Sequence, residues 1–176
     1  MRVLIVGPTS SPWADIAEGV EADLARLRRP GVDVAYRCTG AGPAAIRTSQ
    51  DAIEAAPHVV RTVTQAAGEE FDAVIIDCTD DPGVEEARAV VSIPVVGAGE
   101  ALWAAITTAP APVRLFTGDE LRTLTPDEIV EQARRAATVA IGATGHSHVA
   151  DLISAAGLEC ALIDPLDAAL ALCLGR

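Results

Sequence analysis

The sequence predicts an α/β fold, a mostly parallel sheet flanked by helices, on three observations. Short β-branched runs alternate with longer stretches of three-and-four hydrophobic spacing along all 176 residues. The run Ala73-Val-Ile-Ile-Asp77 is apolar almost throughout, as a strand covered on both faces must be. Three strands run directly into polar, glycine-containing loops that precede helices, the places where α/β sheets bind ligands.

The elements follow in order. Arg2 to Val6 is a β-branched strand ended by Gly7-Pro8. Trp13, Ile16, Val20, Leu24 and Leu27 recur at helical spacing, so Pro12 to Arg28 reads as a helix stopped by Pro30-Gly31. Val32 to Tyr36 is a second strand, followed by the glycine-rich loop Thr39-Gly-Ala-Gly-Pro43. A helix is expected from about Gln50 to Ala67, interrupted or begun anew at Pro57. After the strand at 73–77 come a helix at 83–90, a short strand at 94–96, a helix at 100–107 and a strand at 113–116. Thr125-Pro126-Asp127-Glu128 supplies a hydroxyl N-cap, a proline at the first position and acids in the first turn of a helix reaching Arg135. A strand at 138–141, a helix at 146–156 and a strand at 160–163 lead to a closing helix that Asp164 can cap.

Composition narrows the function. Half of the residues are hydrophobic, enough for a sizeable core, and ~150 residues per domain allows one domain or two small lobes. Twenty-five acidic residues against 13 basic ones give a net charge of -12, so a nucleic-acid partner is not expected. All 13 basic residues are arginine, which removes lysine Schiff-base chemistry. The N-terminus lacks the pattern of a signal peptide, and no run reaches the ~18 apolar residues a bilayer span requires, so a cytoplasmic protein without a membrane partner is expected. Cys38, Cys160 and Cys173 read as small buried hydrophobes, and all four cysteines as thiols.

Three loops carry the candidate chemistry: Gly7-Pro8-Thr9-Ser10-Ser11, Cys78-Thr79-Asp80-Asp81-Pro82-Gly83 and Gly142-Ala143-Thr144-Gly145-His146. Each can turn backbone N–H groups and a helix start toward an anion. Cys78 stands at a strand end before a helix, a position expected to lower its pKa and suit it to proton transfer or nucleophilic attack. Its other reading is a buried structural cysteine. Asp81 is expected to cap the helix that follows it, and Glu100 to be structural or to line the cleft. His146-Ser-His148 lacks a Cys or Glu to complete a zinc set, and Gly40-x-Gly42 lacks dinucleotide spacing, so neither metal nor cofactor is expected.

Together the motifs resemble a known family. Cys78 to Arg88, Ile93-Pro-Val-Val-Gly97 and Glu100-Ala101 resemble hydantoin racemases and the wider aspartate/glutamate racemase superfamily, as do Val3 to Ser11, Gly42-Pro43-x-x-Ile46 with Asp51, Ile141 to Gly145 and Ile163 to Ala168. The resemblance implies two pseudo-symmetric flavodoxin-like lobes, divided here as 1–107 and a shortened 108–176, with a cleft between them. It implies cofactor-independent proton transfer by two facing cysteines beside the carboxylate or ring carbonyls of a small carboxylate or cyclic amide. It assigns Cys78 as the first cysteine. Pro8, Thr9, Ser10, Ser11, Thr79, Asp80, Gly142, Ala143, Thr144 and Gly145 are placed around the substrate, and a homodimer or higher oligomer is expected.

The second cysteine position is Ala143, and a methyl group cannot relay a proton. Gly7 and Thr9 stand where the family has two asparagines. Three activities fit. Cys78 can pair with another acid/base, for which His146 is the candidate, its other reading being an exposed polar residue. Cys78 can act alone in an isomerase, lyase or decarboxylase. The chain can also bind a small anion or a partner without catalysis.

Overall fold

A computed structural model describes residues 1–175. The strands form two parallel sheets. The first contains β1 (Arg2–Gly7), β2 (Asp33–Cys38), β3 (Ala73–Ile76) and β4 (Val95–Gly97), in the order β2-β1-β3-β4. The second contains β5 (Val113–Thr117), β6 (Thr138–Gly142) and β7 (Ala161–Ile163), in that order. Pairing is parallel throughout both sheets, for example Val3 opposite Ala73 and Val113 opposite Thr138. All the C-terminal strand ends of a sheet therefore open on one edge.

Helices α1 (Trp13–Arg26), α2 (Ser49–Ala67), α3 (Val84–Arg88) and α4 (Ala98–Thr108) alternate with the first strands. Helices α5 (Gly118–Thr123), α6 (Pro126–Ala133), α7 (His148–Ala155) and α8 (Pro165–Cys173) follow β5, β6 and β7. The strand residues alternate between two cores. Leu4, Val6, Val74 and Ile76 bury against Val59 and Val63 of α2, whereas Val3, Ile5 and Ile75 bury on the opposite face. The second sheet buries Phe116, Val139 and Ile141 against Ile129, Val149 and Ile153. No helix among the described residues is long and apolar enough to cross a membrane.

Several expectations change. The α2 helix runs unbroken through Pro57. Its start is fixed by Thr48, whose hydroxyl accepts from the Asp51 N–H while Asp51 accepts from the Thr48 N–H. That box and the buried stripe Ala55, Val59, Thr62, Val63 and Ala66 outweigh the one backbone bond a proline deletes. Trp13 belongs to the apolar spacing but is 49% exposed, its ring tilted against that of Tyr36 with centroids 6.2 Å apart. A division at 107/108 assigns α8 to the second lobe, yet Leu166, Ala169 and Leu170 lie in the first sheet's core with Val3, Ile5 and Ile75. The apolar side of α8 needs a large buried partner, and the face of β1 and β3 left open by α2 supplies one.

Candidate active site

The chain leaves β3 through Asp77, Cys78 and Thr79, and leaves β6 through Ala143, Thr144 and Gly145. Two hydrogen bonds clasp these loops. The Thr79 hydroxyl donates to the Gly142 carbonyl at 3.3 Å, and the Thr144 hydroxyl donates to the Asp77 carbonyl at 3.4 Å. The exchange is reciprocal. In each loop a threonine donates to the carbonyl two positions before its counterpart in the other loop. The residues so placed as equivalents are Cys78 and Ala143. Both bonds are long for hydroxyl donors, so either hydroxyl can turn to a ligand at small cost.

The clasped loops line a cavity of about 350 Å³. Cys78, Thr79 and Asp80 enter it from the first loop, and Gly142, Ala143, Thr144 and His146 from the second. Arg47, just before α2, and Arg122, on α5 and paired with Asp119, complete the polar wall. Neither arginine belongs to a motif read in the sequence. Arg47 directly precedes the Thr48-x-x-Asp51 capping box, the one local signal that could have located it.

The first loop is placed differently from expectation. Pro8 and Thr9 line a neighbouring cavity, together with Gly145, and share Thr144 with the first. Ser10 and Ser11 line neither. The Ser11 hydroxyl donates to the Ala44 carbonyl at 2.9 Å, and the Ser10 N–H to the Pro43 carbonyl at 3.0 Å. The two serines stitch their loop to the glycine-rich one instead of facing the cavity.

The Cys78 thiol also departs from expectation. It is pushed up to about 12, first by burial, although the Asp80 N–H partly opposes this and the charges of Asp80, Asp77 and Asp81 add to it. The helix that was to lower it has only five residues and starts at Val84, too short and too far along to offset burial among carboxylates. His146 also lines the cavity, with Nδ1 buried and unpartnered. Burial, and then the charges of His148 and Arg122, hold its pKa below the usual histidine value. Thiol and imidazole are thus both neutral.

Asp81 does not cap its own helix. Its carboxylate accepts from the N–H groups of Gly99 and Glu100, at 2.8 and 2.7 Å, and so caps α4. A side chain on Gly99 would run into that carboxylate and the Thr79 carbonyl, so glycine here keeps α4 against the Cys78 loop. Glu100 accepts from the Gly97 N–H at 3.0 Å and pairs with Arg88, a structural role. No three His, Cys, Asp or Glu side chains among the described residues are grouped to hold a metal ion.

Residues 3–121 match the Asp/Glu/hydantoin racemase family model. The chain belongs to that family. The hydantoin racemase of Paenarthrobacter aurescens is 32% identical over 102 residues, 57% of this chain and 42% of that protein. The hydantoin racemase of Pseudomonas sp. strain NS671 is 28% identical over 100 residues, 57% of this chain and 39% of that protein. The matches therefore span less than half the length of these relatives. Allantoin racemase from Klebsiella pneumoniae shares the fold with a TM-score of 0.81 at 18% identity, covering 99% of this chain and 86% of that one. Allantoin racemase from Pseudomonas fluorescens does so with a TM-score of 0.76 at 19% identity, covering 99% and 90%. Arylmalonate decarboxylase shares it with a TM-score of 0.62 at 12% identity, covering 99% and 91%.

Proposed function

We propose that this family member is a cofactor-independent racemase- or epimerase-like enzyme. It moves a proton on the carbon next to a carbonyl or carboxylate of a small carboxylate or cyclic amide. The observation that carries the reading is the reciprocal threonine clasp, which gathers Cys78, Ala143 and His146 around one cavity. The ionisation states assign the roles. A thiol held near 12 carries its proton at neutral pH and is the acid. A histidine held below its usual value is unprotonated and is the base. Removal of the α-proton by His146 and delivery from Cys78 to the opposite face inverts the centre. The reverse reaction starts from thiolate and imidazolium. The hydroxyls of Thr79 and Thr144, the backbone around Gly142 and the Arg47 guanidinium are placed to stabilise the enolate oxygen or a carboxylate.

Ala143 supports a second reading. With a methyl group where the resemblance puts the second cysteine, a single thiol that protonates one face of an enediolate suffices for an isomerase, lyase or decarboxylase. The three-stranded second sheet is read as the shortened lobe, with a homodimer or higher oligomer as its working state.

Loss of the C5–H signal of D- and L-5-methylhydantoin in D₂O, followed by NMR, tests the first reading; carbon dioxide release from phenylmalonate tests the second. The expected result is exchange above the buffer rate accompanied by inversion of configuration, and the inversion drops at least about a hundredfold in Cys78→Ser, the usual minimum for losing a general acid. Turnover at the buffer rate on both probes, or a Cys78→Ser variant as active as the parent, overturns the proton-transfer reading.

A further inference from the structure

Almost every arginine in this chain is spent on an acid. Among the described residues each one is ion-paired with a carboxylate except Arg28, Arg47 and Arg61. Arg61 rests on the His58 ring nitrogen at 3.1 Å, and Arg28 is exposed and does not line the Cys78 cavity. Arg47 is the one of the three on that cavity's wall. In a chain with 25 acidic residues and 13 arginines, a guanidinium left free of carboxylates is the exception.

The root of Arg47 is fixed while its head is free. Its N–H donates to Asp51 Oδ2 at 3.0 Å, and the same oxygen accepts from the Thr48 N–H and hydroxyl, both at 2.8 Å. Asp51 is thus engaged by the start of α2 and not by the guanidinium. The second loop brings another guanidinium, that of Arg122. The Ala143 methyl and Arg122 lie 3.2 and 3.3 Å from the point a Cβ on Gly118 would occupy, so glycine at 118 and a small residue at 143 leave room for it. Its carboxylate partner, Asp119, is 93% exposed, and a pair so exposed is worth about 0–1 kcal/mol and yields readily to a ligand. Asp80, the other acid on the wall, forms no ion pair with either arginine among the described residues. Asp80 and Arg47 are both exposed, so water screens their point charges and hydrogen-bond geometry decides what binds. A carboxylate takes two parallel N–H bonds from one guanidinium, whereas a ring carbonyl offers one uncharged oxygen.

We propose that the Cys78 cavity prefers an open-chain acid to a neutral cyclic amide, and that Arg47 sets this preference by holding the acid's carboxylate, with Arg122 as the auxiliary cation. The proposal rests on the reading of this cavity as the place where a small carboxylate or cyclic amide reacts, and it chooses between the two. The volume of about 350 Å³ falls within the roughly 300–1,000 Å³ of small-molecule sites. A neutral ring remains a weaker ligand, held by the threonine hydroxyls and the backbone around Gly142 without the ionic anchor.

The test uses a matched pair of probes, 5-methylhydantoin and its ring-opened form N-carbamoylalanine. Each is titrated into the full chain at neutral pH and matched ionic strength, followed by amide NMR. Saturable shifts at Arg47, Thr79 and Thr144 are expected, with the acid bound at least about tenfold tighter than the ring. Arg47→Gln is expected to weaken the acid at least about tenfold and to leave the ring unchanged. Arg47→Lys, which keeps the charge without the fork, is expected to fall between parent and Arg47→Gln. Arg122→Gln is expected to weaken the acid in the same direction and serves if the Arg47 variants do not fold. Arg28→Gln removes the same charge away from the cavity and is expected to bind both probes as the parent does. No saturable binding of the acid, a ring bound as tightly as the acid, or undiminished acid binding by the folded arginine variants would overturn the proposal. Binding and C–H exchange are separate readouts. Exchange on the ring without a preference for the acid refutes this proposal alone, and a preference for the acid without exchange on either probe refutes only the proton-transfer reading.

Discussion

Alkylation of Cys78 should be slow and should keep accelerating far into alkali. Two effects oppose each other at this thiol. A helix end favours the thiolate by about 0.3–1 kcal/mol. The upward shift from 9.0 to about 12 amounts to about 4 kcal/mol in the other direction, so burial and the carboxylates win. Three units mean about a thousandfold less thiolate than an ordinary cysteine holds at pH 8. Iodoacetamide labelling, resolved site by site by mass spectrometry, gives the rate in the folded chain and in urea. The folded rate at Cys78 should rise tenfold per pH unit past pH 10, whereas the urea rate levels off near 9. Steric shielding scales the folded rate but cannot move the pH at which it levels. Asp80→Asn removes one of the opposing charges and should bring the plateau down. A folded-state plateau near 9 or below would refute the reasoning, and with it the assignment of Cys78 as a resting proton donor.

The remaining predictions concern the scaffold. Asp81→Ala strips the α4 N-terminus of two charge-assisted bonds and should lower stability by about 2–4 kcal/mol in urea unfolding, with Asp81→Asn recovering part of the loss. Asp77 has its folded pKa raised from 3.8 to about 6, so the folded state prefers the protonated form and stability is lost as pH rises through that window. Between pH 3.5 and pH 7 the parent should therefore lose up to about 3 kcal/mol relative to Asp77→Asn, and parallel stability curves for the two proteins would contradict this.

The sheets were legible because parallel strands carry their signature locally. Residues 73–76 and 139–141 are buried on both faces and read as unbroken apolar runs. The Thr125 and Asp164 caps were legible for the same reason: each capping side chain and the N–H groups that donate to it are within three residues of one another. What the sequence hid was long-range. Nothing near Asp81 says that its carboxylate serves residues 99 and 100, or that Ser11 turns to Ala44. The Cys78 shift was misjudged because a strand-end position shows the helix start but not the burial around the sulfur. Tyr36 and Asp77 went unread because 41 residues separate them, and only the register of β1 with both β2 and β3 brings them together.

The return of α8 to the first sheet has a bearing on the order of assembly. The ribosome completes β1 to β4 while the α8 residues that complete the cover of Val3, Ile5 and Ile75 are still unmade. Until Leu166, Ala169 and Leu170 emerge, a nascent chain carries an apolar sheet face only partly covered by Leu27, Ala98 and Ala101, a target for chaperones and a seed for aggregation. Closing a loop of some 160 residues is also slow relative to the local βα contacts. Folding of the first sheet is thereby tied to translation of the second, and a ribosome stalled after β6 would hold neither half in its final form.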